Sequence, residues 1–277
     1  MPTTHAHYRH GEEVRKKLGP AAREIIDKYP ELFHFGVHGP DFLFYYDALK
    51  KNRVNQMGYE IHNRPGREFF EKAVQVLQEL SKEGSGDYKA SLAYIYGVLC
   101  HFSLDVRCHG YVNAMIEEIG VGHLEIEAEL DREMLLREGF DPVRTKVTGH
   151  LAPSGKNARV VSRFYDGISQ EEAFKCMKDM VWYLDFLATP SKVTRGVFLT
   201  LLKVLGQYEL KKGLFINYEK NMACEESTEH LLELFDEAVD LAVDLIEEFP
   251  TLKDEAYEYD FCSVKQAEKQ IYQGRKA

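Results

Sequence analysis

Apolar residues recur at three- and four-residue steps through most of this chain, a period that predicts helices. The first is expected from Glu12 to about Lys28, where Val14, Leu18, Ala22 and Ile25 set the period and Gly19-Pro20 marks a kink or break. Gly36, Gly39 and Pro40 force a turn, after which Phe42 to Tyr46 resumes an apolar run with Asp41 in the position of a helix N-cap. Residues 53–64 are mixed. A helix from about Glu68 to Lys82 ends in the turn at 83–86, and the longest and most apolar one runs from about Asp87 to Ile119. Gly120-Val-Gly122 stops it, and another follows from His123 to about Glu138. Residues 139–167 are broken by glycine and proline and read as a long loop, a candidate lid. Supporting helices fill 169–249: Ser169 to Leu187, Ser191 to Lys211, and Cys224 to Phe249. A short one is expected from Val264 to Tyr272. No strand pair and no internal repeat is visible, so the fold class is all-α, a single multi-helix domain over 1–277.

The apolar helix is interrupted in one regular way. His101, Asp105 and His109 follow one another at four-residue steps, each turning about 40° around the axis, so they form one stripe. His123 and Glu127 repeat that spacing on the next helix, and two such helices side by side would bring both stripes to a common centre. Polar groups on the most apolar helix are costly without a partner, and histidine with carboxylate is how zinc is held. A blander arrangement pairs Asp105 with His109 as a helical contact and leaves His123 to Glu127 as a solvated helix start. Glu125, Glu129 and Asp131 are expected in solvent, Cys100 and Cys108 in the core, and His5, His10, His34 and His38 have no partner by spacing.

Composition narrows the setting. With 35 Lys plus Arg against 45 Asp plus Glu the formal charge is -10, so attraction to nucleic acid or anionic lipid is not the expected mode of engagement, a local basic patch aside. No segment is apolar for long enough to span a membrane, no secretory signal opens the chain, and the five cysteines contain no Cys-x-x-Cys pair; a reduced, cytoplasmic location is expected. Nine of the eleven histidines lie at or before His123, with only His150 and His230 beyond, which assigns the chemistry to the first half.

Several motifs in order then resemble the zinc-dependent phospholipase C family. They are His-Tyr-Arg-His-Gly-Glu-Glu-Val at 7–14, Phe-Gly-Val-His-Gly-Pro-Asp at 35–41, and Met-Gly-Tyr-Glu-Ile-His at 57–62. Tyr-Gly-Val-Leu-Cys-His-Phe-Ser-Leu-Asp-Val-Arg-Cys-His at 96–109 and His-Leu-Glu-Ile-Glu at 123–127 complete the series. The resemblance implies zinc, two or three ions per chain, with all metal ligands in residues 1–127. Asp41, His62, His101 and Asp105 would hold one ion, His109, His123 and Glu127 a second, and His7 with a bridging Asp105 a third. In the secreted phospholipases the third ion is completed by an N-terminal tryptophan, whereas this chain begins Met1-Pro2 and has its one tryptophan at 182. Gly110 and His38 also depart from the family's usual proline and glutamine.

The implied activity is hydrolysis of a phosphodiester by a zinc-activated water, with Asp41 as ligand and proton acceptor and a small phosphodiester or phospholipid as substrate. A soluble phosphodiesterase or single-strand nuclease is the second reading, since fungal zinc nucleases look like relatives, although the sequence carries no strong nucleic-acid signal. A non-catalytic metal-binding protein is the third. A di-iron bundle is disfavoured, because the pair of Glu-x-x-His motifs it needs is absent.

Overall fold

The computed structural model describes residues 4–262, so the helix expected from Val264 to Tyr272 lies outside the described residues. In chain order the helices are α1 (Thr4–Lys17), α2 (Pro20–Lys28), α3 (Pro30–Gly36), α4 (Arg53–His62), α5 (Gly66–Lys82) and α6 (Tyr88–Ile119). They continue with α7 (His123–Arg137), α8 (Gly155–Val161), α9 (Gln170–Leu187), α10 (Lys192–Val204), α11 (Tyr208–Lys211) and α12 (Glu225–Glu248). Among the described residues there is no strand, only an isolated bridge between Pro65 and Asp260, and the all-α class stands.

α6 is the axis. Every residue from Ala90 to Val106 is buried, so the helix is enclosed around its whole circumference by others. α12 and α3 make its largest contacts, with α1, α2, α5 and α7 around them. The approach of α3 is set by two glycines. A Cβ on Gly36 would lie 2.2 Å from the Tyr94 carbonyl oxygen, and one on Gly97 would lie 2.3 Å from that of Phe33. Backbone meets backbone at this crossing, which fixes where the following 3-10 segment, Gly39–Tyr45, delivers Asp41.

Several elements differ from the sequence expectation. α1 begins at Thr4, not Glu12, so His5, His7 and His10 are helical; the break at Gly19-Pro20 is present. Asp41 is not an N-cap: it lies within the 3-10 segment, and its backbone N–H donates to the His38 carbonyl at 3.0 Å. The mixed stretch at 53–62 is a helix because Asn52 and Asn55 form a reciprocal capping box. The presumed loop 139–167 contains α8, capped by Ser154. The helix expected to reach Lys211 stops at Val204, where Gly206 adopts φ 66° and lets the chain turn. Among the described residues no helix is long and apolar enough to cross a membrane.

Candidate metal centre

α6 carries three donors one turn apart on a side that faces neither solvent nor apolar core. Around them, α1 contributes His7, the 3-10 segment Asp41, α4 its last residue His62, and α7 its first residue His123 together with Glu127. All eight sequence-predicted residues thus meet in one place. Seven are buried, and the His123 side chain is 30 % exposed.

The donors fall into three groups whose ligand atoms lie within 4.8 Å of one another: His7, His101 and Asp105; Asp41, His62 and His101; and His109, His123 and Glu127. Asp105 joins them. Its Oδ2 lies 3.1 Å from His101 Nε2 and 3.9 Å from His62 Nε2, while its Oδ1 lies 3.5 Å from both His7 Nε2 and His109 Nε2. Asp41 Oδ1 stands 3.0 Å from His62 Nε2, and Glu127 Oε1 stands 3.1 Å from His123 Nε2 and 3.2 Å from His109 Nε2.

Electrostatics keep the carboxylates ionised. Burial alone would raise each carboxyl, but His101 and His109 hold Asp105 below the carboxylate range, His101 and His62 do so for Asp41, and His123 and His109 for Glu127. In return, and against burial, Asp105 and Glu127 raise His109 to about 10. His7, by contrast, is pushed down to about 4, first by burial and then by the neighbouring His101, on whose ring it stacks at 4.5 Å.

Whether these residues suit zinc is tested by their outer contacts. His62 Nδ1 donates to the Gly58 carbonyl at 2.6 Å, His109 Nδ1 to the Phe261 carbonyl at 2.8 Å, and His123 Nδ1 faces Asn113 Oδ1 at 3.2 Å. Each contact commits the proton to Nδ1 and turns the Nε2 lone pair inward, as a metal-bound imidazole requires. Buried Asp41 Oδ1, His62 Nε2, His101 Nε2, Asp105 Oδ2 and Glu127 Oε2 make no hydrogen bond, and the first four each lie within 4.0 Å of a partner in the same set. Buried polar atoms left this way are costly unless a cation joins them, and the nitrogen and oxygen donors are those zinc takes. The residues fit the metal.

Four residues near the centre were not legible in sequence. Asp131, expected in solvent, is buried and accepts the backbone N–H of His5 at 3.1 Å and of Ala6 at 2.9 Å, which fixes the start of α1 just before His7. Glu125 and Glu129, also expected in solvent, are buried against Asn217, which donates to both, at 3.3 Å and 2.9 Å. His150 comes from the second half of the chain: its Nε2 lies 2.7 Å from His38 Nε2, its ring stacks on Tyr8 at 4.2 Å, and burial first of all lowers it to about 3. The assignment of all chemistry to the first half therefore missed a neighbour of the site. His34 pairs with Glu12 at 3.0 Å and His5 with Glu138 at 3.2 Å, so both have partners that spacing did not show. Asn113 was the one detectable residue, since it lies four after His109 and extends the same stripe. Cys100 and Cys108 are buried free thiols, as expected.

A comparison with family models matches residues 4–182 to zinc dependent phospholipase C, and the chain belongs to that family. The matched span includes every one of the eight donors. No curated protein and no solved structure matches the chain.

Proposed function

We propose that this member of the zinc dependent phospholipase C family hydrolyses a phosphodiester, with a phospholipid as the substrate class and zinc held by His7, Asp41, His62, His101, Asp105, His109, His123 and Glu127. The observation that carries the reading is the convergence of five histidines and three carboxylates from five separate elements on one buried centre, joined by Asp105.

When bound, zinc supplies Lewis acidity toward phosphate oxygens and makes water nucleophilic near neutral pH. The protein's own part is positional. His62, His109 and His123 have their rings fixed by Gly58, Phe261 and Asn113, so little reorganisation is left for the reaction. Asp41, kept ionised and held between His62 and His101, accepts the proton of the attacking water on a carboxylate oxygen. As the water oxygen bonds to phosphorus, the bond to the leaving oxygen breaks, that alkoxide takes up a proton from solvent while Asp41 returns its own to solvent, and the products are a phosphomonoester and an alcohol. Segment 139–167 reaches the neighbourhood of the site through His150, whose Nε2 lies 2.7 Å from His38 Nε2.

The test is Asp41→Asn in the zinc-loaded protein, assayed on a chromogenic phosphorylcholine ester. Most metal should be retained while turnover drops at least about 100-fold, the scale of a lost general base. Unchanged turnover would overturn the role of Asp41. A folded wild-type protein with stoichiometric zinc that hydrolyses neither phosphorylcholine esters nor phospholipids nor nucleic acids would make it a metal-binding protein without this activity.

A further inference from the structure

Beyond the matched span, α10 presents an apolar face that is left exposed among the described residues. Val193, Val197, Leu201 and Val204 recur at three- and four-residue steps and fall within about 80° of one another around the helix. Val193 and Val204 are 77 % and 79 % exposed, and the other two are more than half exposed. On the adjoining α9, Trp182 is 61 % exposed and stacks on Phe186 with ring centroids 5.8 Å apart, and Phe186 in turn meets Phe198 of α10 edge-on at 6.1 Å. The two helices thus share one exposed apolar surface whose aromatic members lie side by side.

Charge distinguishes this surface from the rest of the chain. Residues 189–213 hold five basic side chains against Glu209 alone, in a protein whose formal charge is -10; Arg195 is buried and Lys212 is ion-paired, while Lys192 and Lys203 are exposed. Lys192 and Lys203 lie along one edge of the apolar stripe, about 80–100° from Val193, and among the described residues neither makes an ion pair. Each instead rests its ammonium on an aromatic ring, Lys192 on Tyr218 at 5.5 Å and Lys203 on Tyr208 at 4.6 Å. An apolar stripe edged by unpaired lysines beside an exposed tryptophan is the composition of a helix lying in a membrane interface.

The surface is anchored beside the metal centre. Lys212 pairs with Glu125 at 3.2 Å, Asn221 donates to the same carboxylate at 2.9 Å, and a Cβ on Gly213 would lie 2.3 Å from the Glu125 backbone nitrogen. The segment after α10 is therefore pressed against the first turn of α7, two residues from His123, the one donor with appreciable exposure.

We infer that the exposed face of α10, with Trp182 and Phe186, docks on an anionic phospholipid bilayer beside the open end of the centre. This rests on the phospholipid reading of the function and adds to it the surface by which the substrate is reached. A second copy of the chain is the less fitting occupant, because pairing like faces leaves Lys192 and Lys203 without counter-charge, whereas an anionic leaflet supplies it.

The experiment is flotation of the zinc-loaded full chain with vesicles of phosphatidylcholine and phosphatidylglycerol, or of phosphatidylcholine alone, at low and high salt. Binding should favour the anionic vesicles at least 10-fold, weaken in 0.5 M salt on the order expected for screening of surface charge, and shift the Trp182 emission to shorter wavelength. Val197→Asp with Leu201→Asp, and separately Lys192→Glu with Lys203→Glu, should each cut binding at least 10-fold while leaving hydrolysis of a soluble phosphorylcholine ester unchanged. Failure to bind any vesicle, wild-type binding by either double variant, or a wild-type dimer that the Asp variant converts to monomer would overturn the docking surface. Soluble-ester turnover without vesicle binding sinks this inference alone, and vesicle binding without any turnover sinks the hydrolase reading alone.

Discussion

Asp131 accepts the backbone N–H of Ala6 at 2.9 Å across 125 residues of sequence, and the neighbouring N–H of His5 at 3.1 Å. Helix N-termini leave their first N–H groups unpaired, and here a carboxylate from α7 satisfies two of those of α1. The candidate donor His7 follows at once. Asp131→Ala should therefore cost about 1–3 kcal/mol of stability, the scale of buried donors left unpaired, and lower zinc content selectively at the group containing His7. Urea denaturation and metal analysis by mass spectrometry check both. A variant with full stability and wild-type zinc would show that the contact does not position α1.

Asp105 has both oxygens engaged, one toward His101 and His62 and the other toward His7 and His109. Among the carboxylates of the centre His7 lies beside Asp105 alone, through Oδ1 at 3.5 Å, whereas Asp105 lies beside four histidines. Asp105→Ala should then release more zinc than His7→Ala, lowering affinity for more than one ion, whereas His7→Ala should remove at most one. Titration with a zinc chelator read by stoichiometry distinguishes them. Equal losses would contradict the joining role of Asp105.

His10 is buried on α1 against Phe235 of α12, and burial before all else lowers it to about 3. Its unfolded value is about 6.5, so below that pH the unfolded chain takes up a proton that the folded one refuses. The contribution is present in full above about pH 6.5 and is lost as pH falls toward 3, amounting to about 2 kcal/mol between pH 7 and pH 5. In chelator-treated protein, His10→Gln should reduce the loss of stability over that interval relative to wild type. Identical pH dependence in the two proteins would show that His10 does not contribute it.

Gly97 meets the Phe33 carbonyl where α6 crosses α3. Gly97→Ala should destabilise by about 1–3 kcal/mol, as overpacking does, and by pushing α3 outward should move Asp41 from His62 and His101. Thermal unfolding should report the first effect. A fall in zinc affinity far smaller than that of Asp105→Ala, with slower ester turnover, should report the second. Gly39→Ala offers an independent check, since Gly39 has φ 45° and its added Cβ would lie 2.3 Å from the His101 ring.

By itself the sequence determined the helical class, the central apolar helix and the donor stripe. Each follows from a local rule: a 3.6-residue period, an unbroken apolar run, and four-residue steps on one face. The same locality explains the repeat at His123 and Glu127, whereas His7, Asp41 and His62 are reached through motifs that resemble the family's. Tertiary structure decided what no local rule encodes. It joined Asp105 to four histidines, buried Asp131 and Glu125 against partners distant in sequence, and brought His150 to His38 across 112 residues. It also exposed one face of α10, whose apolar period predicts burial as firmly as that of α12. The period of a helix states that one face is apolar, but only the packing of its neighbours decides whether that face finds another helix or is left to meet a different phase.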